Sequence, residues 1–148
     1  MSCITIVKEI KAIHPKDIAL IRLGGFYRVY GRDAYIISNI FRYKVQYDEG
    51  IASCGFPVKS ISKIQSKLEN KKINYMIIDS RDNYSIESKE DYKNLNNYDK
   101  QYEISKIYVH NQLRIDNIYK YLSENSKKEN LKEILKGIEE IINVKGKI

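Results

Sequence analysis

Phe26, Tyr27, Arg28, Tyr30 and Arg32 crowd into the segment Gly24-Gly25-Phe26-Tyr27-Arg28-Val29-Tyr30-Gly31-Arg32-Asp33-Ala34. Aromatic rings stack on exposed bases and guanidinium groups hold phosphates, so these residue types together suit contact with a nucleic acid. In an extended chain the side chains alternate, which puts Phe26, Arg28 and Tyr30 on one face and Tyr27 and Val29 on the other. Lys59, Lys63, Lys67 and Lys71 recur every four residues. On a helix that spacing forms a row opposite Val58, Ile61, Ile64 and Leu68. Such a row can track a phosphate backbone, although a solvated lysine face is the commoner meaning of the pattern. Arg22, Arg32, Arg42 and Lys44 add positive charge nearby.

Catalytic chemistry finds little support. Asp33, Asp48, Glu49 and Asp79 are the carboxylates that a magnesium-dependent nuclease would draw on, but none of these four opens an E-x-K type word that would set a lysine beside it on a strand. They read instead as caps and turn residues, with Asp33 favouring the start of a helix. His14 and His110 have no neighbours that suggest a triad. Cys3 and Cys54 are too few and too far apart for a metal site or a disulfide scaffold. The expectation is a protein without enzymatic activity, bound metal or cofactor.

The whole chain sets bounds on this chemistry. With 148 residues, 43% hydrophobic residues, seven Gly and two Pro, it is expected to fold, as one domain or a smaller domain with an appendage. No apolar run approaches the roughly 18 residues of a membrane span, and the first residues lack the pattern of a secretory signal. A cytoplasmic location is expected. Residues 1–80 carry 13 Lys and Arg against 7 Asp and Glu, whereas residues 81–148 carry 13 against 12. The basicity therefore belongs to the first half, where it favours polyanions.

The elements that must position these residues follow from periodicity. Ile6, Ile10 and Ile13 predict a short amphipathic helix ended by His14-Pro15. Residues 18–23 are apolar on both faces and predict a central strand that can run on through the aromatics to Tyr30. Ala34, Ile37 and Phe41 form the stripe of a second helix. Residues 43–47 and 51–54 predict a hairpin around Asp48-Glu49-Gly50, with Gly55-Phe56-Pro57 breaking its second strand. Val58 to about Lys71 predicts a helix, residues 73–78 a buried strand, and Tyr84 to Glu87 a short edge strand. The class is α/β (α+β), a mixed sheet flanked by helices. Beyond it, residues 96–123 predict a helix about 40 Å long, with Ile104, Tyr108, Asn111, Ile115, Ile118 and Leu122 along its apolar stripe. Leu131, Ile134, Leu135, Ile138, Ile141 and Ile142 give another. The expected division is an α/β domain over residues 1–95 and a C-terminal helical hairpin over 96–148, which packs on the sheet domain or pairs with a second copy.

Taken in order, the words GGFYRVYGRDA and CGFP, with the helix and strand after them, resemble the N-terminal mismatch-recognition domain of the MutS family. Members show G-x-F-Y-E, an acidic-Ala pair and A-G-x-P. Here the matching positions are Gly24, Phe26 and Tyr27, then Asp33-Ala34, then Gly55 and Pro57, with His14-Pro15 upstream. The resemblance covers about residues 5–80. It implies a MutS domain I-like fold in which the residue at Phe26 stacks on a mispaired base from the minor groove. The family's glutamate, which hydrogen-bonds the displaced base, is replaced by Arg28. Arginine accepts no hydrogen bond, so that contact does not transfer. A cation there suits the electronegative minor groove or a phosphate. No G-x-x-x-x-G-K-[ST] phosphate-binding loop occurs, so the expectation is a stand-alone recognition domain without the family's ATPase.

The resulting expectation is a non-catalytic protein that binds duplex DNA, mispaired or otherwise distorted. Phe26, Tyr27, Arg28, Tyr30, Arg32, Lys59, Lys63 and Lys67 are the contact residues. The alternative is a protein-interaction module on the same fold that no longer touches DNA.

Overall fold

The computed structural model describes residues 2–146, without the side chains of residue 95 and residues 144–146. A six-stranded mixed sheet is its centre. In chain order the elements are α1 (Cys3–Ile13), β1 (Ile18–Leu23), β2 (Phe26–Tyr30), α2 (Arg32–Phe41), β3 (Gln46–Asp48), β4 (Ile51–Pro57), α3 (Ile61–Asn70), β5 (Tyr75–Asp79), β6 (Ser85–Glu90), α4 (Leu95–Glu124) and α5 (Leu131–Gly146). Single 3-10 turns precede α3 (Val58–Ser60) and follow β5 (Ser80–Asp82). The strands lie in the order β3-β4-β2-β1-β5-β6. Among the described residues only the β1–β5 pair is parallel. The α/β expectation therefore holds.

The central strand keeps the expected bounds as β1, but the run-on through the aromatics to Tyr30 is instead the second strand of a hairpin, because Gly24 takes φ +63°. That is the conformation a II′ turn needs at its first central position, and glycine reaches it without a Cβ clash. Leu23 then pairs with Phe26 and Arg22 with Tyr27. Gly55 does not break β4, which continues through Phe56 to Pro57 and pairs along the whole of β2.

One face of the sheet is covered by α1. Val7 packs with Ala19, Ile21, Tyr30, Met76 and Ile78, and Ile4 and Ile10 close on the same cluster. Each Val, Ile or Met side chain of this cluster taken wholly out of water contributes about 1.5–3 kcal/mol. The buried stripe of α1 thus centres on Val7 rather than Ile6, and Ile13 is exposed. On the other face, Cys54 lies against the Ala34 carbonyl of α2, and Tyr75 meets Gln65 and Glu69 of α3.

Asp33 is not a helix cap. Gly31 holds the N-cap position of α2 without a side-chain hydrogen bond, and Asp33 points inward, 1% exposed. Its carboxylate accepts from Lys11 Nζ at 2.9 Å, from the Ala19 backbone N–H at 2.9 Å and from the Tyr98 hydroxyl. It joins α1, β1, α2 and α4. Burial pushes this carboxyl up from its ordinary range, against the pull of Lys11 and the other donors. Burial also raises the Tyr98 hydroxyl, with the Asp33 charge adding to it.

The chain divides into two compact units, Met1–Val109 and His110–Ile148, and the division falls inside α4. In the first part of α4 the inward positions are Tyr98, Ser105 and Val109. Of the expected stripe in this part, Ile104 is exposed, while Tyr108 is half-buried with the Arg42 guanidinium over its ring. The apolar spacing is helical, but the side that docks is chosen by Tyr98 and its bond to Asp33. In the second unit, residues 125–130 join α4 to α5, Leu131 is buried, and Tyr119, Ile141 and Ile142 are exposed. No helix among the described residues is long and apolar enough to cross a membrane.

Candidate nucleic-acid interface

The β1–β2 turn stands at the end of the sheet where β1, β4 and β5 finish and β2 begins, since Leu23 pairs with Phe26, Phe26 with Pro57 and Arg22 with Asp79. The Val58 N–H donates to the Gly25 carbonyl at 3.0 Å, which ties this turn to the start of the 3-10 turn that carries Lys59. Phe26 is held at the lip of this end and is 56% exposed. A large apolar ring left in water on a paired strand is available to an outside surface.

Beside Phe26 is a hollow of about 230 Å³ lined by Arg28, Tyr43, Lys44, Gln46, Cys54 and Gly55. Arg28 lies across the neighbouring strand. A Cβ built on Gly55, its cross-strand partner, would stand 3.7 Å from Arg28 Cδ and Nε and 3.1 Å from the Tyr27 carbonyl oxygen. The missing side chain thus lets the arginine stem cross β4 toward Asp48, whose Oδ2 is 3.9 Å from Arg28 Nη1. That separation is long for an ion pair, and both groups are partly exposed. Exposed pairs contribute about 0–1 kcal/mol, so Arg28 can turn toward an incoming phosphate at little cost.

Tyr43 connects the hollow to the core and to α3. Its ring stacks on Phe56 at 5.7 Å and on Phe41 at 6.0 Å, while Phe56 stacks on Tyr27 at 5.5 Å. Lys63 Nζ lies 5.6 Å from the Tyr43 ring centroid, a cation–π contact that brings one lysine of the α3 row toward the hollow. Lys59 and Lys67 are exposed on either side of it along the chain.

The residues named from sequence thus separate into three groups. Phe26, Arg28, Lys59 and Lys63 belong to the same end of the sheet, and Lys67 extends the row along α3. Tyr27 and Tyr30 are buried, Tyr27 against Phe56 and Tyr30 under α1. Their rings are therefore packing residues and not surface contacts. Burial raises both phenols above their ordinary range. Arg32 follows the far end of β2, about 13 Å along the strand from Phe26 at ~3.3 Å per residue, with its guanidinium over Tyr102 at 4.8 Å.

Tyr43, Gln46 and Cys54 are lining residues that the sequence does not mark as contacts, and Gly55 is marked there only as a motif position. The signal that would have found them is the hairpin register, which sets β4 beside Phe26 and Arg28. Two arginines near the turn differ in their commitments. Arg81 Nη2 grips Asp79 Oδ2 at 2.8 Å and its Nε grips Oδ1 at 3.0 Å. These hydrogen bonds, with one from the Arg81 backbone N–H, hold the Asp79 carboxyl down at about 2. Arg22 Nε is buried and has no hydrogen-bond partner among the described residues. Among those residues no three His, Cys, Asp or Glu side chains are grouped to hold a metal ion.

The family model of MutS domain I matches residues 2–111 of the 148. The match spans α1 to β6 and the first half of α4. No curated protein matches the chain.

Proposed function

The chain belongs to the MutS domain I family, and from this premise we propose that it is a non-catalytic DNA-binding protein that recognises mispaired or otherwise distorted duplex. The observation that carries the reading is the exposed Phe26 beside a hollow bearing Arg28 and Lys44. An apolar ring can wedge between weakened base steps and offset part of the unstacking cost, while nearby cations hold the flanking phosphates. Arg28 takes the place of the family's base-contacting glutamate, so in this reading it contacts a phosphate or enters the minor groove rather than accepting from a base. Lys59, Lys63 and Lys67 supply sequence-independent grip. A cytoplasmic location belongs to the same reading.

Fluorescence anisotropy with matched, mismatched and single-stranded oligonucleotides at two salt concentrations tests it. The expected result is salt-sensitive binding that is tightest for the distorted duplex and loses that preference in Phe26→Ala. Absence of binding at low salt overturns it.

A second reading, a protein-interaction module, draws on the second unit, where Ile115, Ile118, Tyr119, Ile141 and Ile142 are exposed. Such residues suit pairing with a second copy or another helical protein. Sedimentation over a concentration series separates the cases: a monomer at all concentrations removes self-association.

A further inference from the structure

At the far end of β2 from Phe26 there is a larger hollow, about 420 Å³, whose walls are apolar and whose edge is basic. Ile4 and Val7 of α1, Pro15, Tyr30, Ile51 and Tyr98 form the walls. Lys8, Lys11, Lys16 and Arg32, with Gly31, complete the lining, and no Asp or Glu is part of it. Its volume falls within the roughly 300–1,000 Å³ of small-molecule sites.

The four cations are not equivalent. Lys11 is matched by Asp33 at 2.9 Å, and Lys16 is paired with Asp99. Lys8 and Arg32 have no carboxylate partner among the described residues. Lys8 is exposed, and the Arg32 guanidinium rests on the Tyr102 ring. The hollow therefore combines wettable apolar walls with two uncompensated positive charges. A neutral apolar ligand would use the walls and ignore the charges. An inorganic anion would use the charges and leave the walls in water. A cation is excluded by sign.

We propose that this hollow binds a small organic anion, with a carboxylate, sulfonate or phosphate carried on an aromatic or aliphatic body. The body lies against Ile4, Ile51 and Tyr98, and the anionic group meets Lys8 and Arg32. This assigns Arg32 to a site of its own, separate from the Phe26 end of the sheet, and it stands whether or not the chain binds DNA.

The probe is 8-anilinonaphthalene-1-sulfonate, titrated into the full chain by isothermal calorimetry beside its uncharged counterpart N-phenyl-1-naphthylamine. Saturable 1:1 binding of the sulfonate is expected, at least about tenfold tighter than the neutral probe because of the two charges. The double variant Lys8→Glu/Arg32→Glu, changed only at exposed positions, is expected to lose that advantage and to leave the neutral probe unaffected. Ile51→Trp, which fills the hollow, is expected to abolish binding of both. Equal affinity for the two probes, sulfonate binding that survives the charge reversal, or no saturable binding would each overturn the proposal.

Discussion

The two ends of the sheet treat their polar and aromatic groups in opposite ways. At the Asp33 end, one carboxylate that is 1% exposed takes hydrogen bonds from Lys11, the Ala19 N–H and Tyr98, and four elements are joined through it. At the Phe26 end, the ring is 56% exposed, the carboxylate facing Arg28 stands 3.9 Å away, and Arg22 Nε has no hydrogen-bond partner among the described residues. Buried polar groups are costly unless fully satisfied, so the first arrangement serves stability. The second leaves groups uncommitted within the fold. The same sheet ties four elements through one carboxylate at its Asp33 end and leaves Phe26 uncommitted at the other.

The contrast sets the order of mutational effects. Asp33→Ala strands Lys11, the Ala19 N–H and the Tyr98 hydroxyl together, and a loss of about 3 kcal/mol in urea unfolding is expected. A loss below about 1 kcal/mol would mean that the knot is not what holds these elements. Tyr98→Phe removes a single hydrogen bond to a charged acceptor, with an expected cost of about 2 kcal/mol. Phe26→Ala is expected to leave the unfolding midpoint nearly unchanged while weakening binding to distorted duplex by about tenfold, the scale of one lost base stack. If it unfolded the protein as readily as Asp33→Ala, the two ends would not differ in kind.

A smaller effect concerns Asp79. Its folded pKa is about 2, below the ordinary value of 3.8. The native state therefore binds fewer protons than the unfolded chain in that window, and the stability Asp79 contributes at neutral pH is lost as the pH falls through it. Asp79→Asn is expected to flatten the decline of stability between pH 4 and pH 2 in acid titrations followed by circular dichroism. An unchanged slope would assign the decline to other carboxylates.

Local pattern revealed the order of helices and strands, the mixed sheet and the outward face of Phe26, because side-chain alternation and helical spacing are properties of neighbouring residues. It did not reveal the Gly24 turn, since an unbroken apolar and aromatic run has the same appearance whether it continues or folds back on two glycines. It gave Asp33 a local role as a cap, because its partners Lys11, Ala19 and Tyr98 come from three other elements. The stripe on α4 misled for the same reason at Ile104, which keeps helical spacing but is exposed, because the docking side of this part of α4 follows from Tyr98. Alternation put Tyr30 on the face of Phe26 and Arg28, where it does lie, yet α1 covers it. One of the three residues of that face is thereby core.

The decisive measurement is the anisotropy comparison of wild type and Phe26→Ala on matched and mismatched duplex at low and moderate salt. Tighter binding of the mismatched duplex by the wild type, lost in the variant while its salt-dependent affinity for matched duplex persists, is the predicted result. Equal preference for the mismatch in both proteins would contradict the wedge role of Phe26 and with it the assignment of the open end of the sheet.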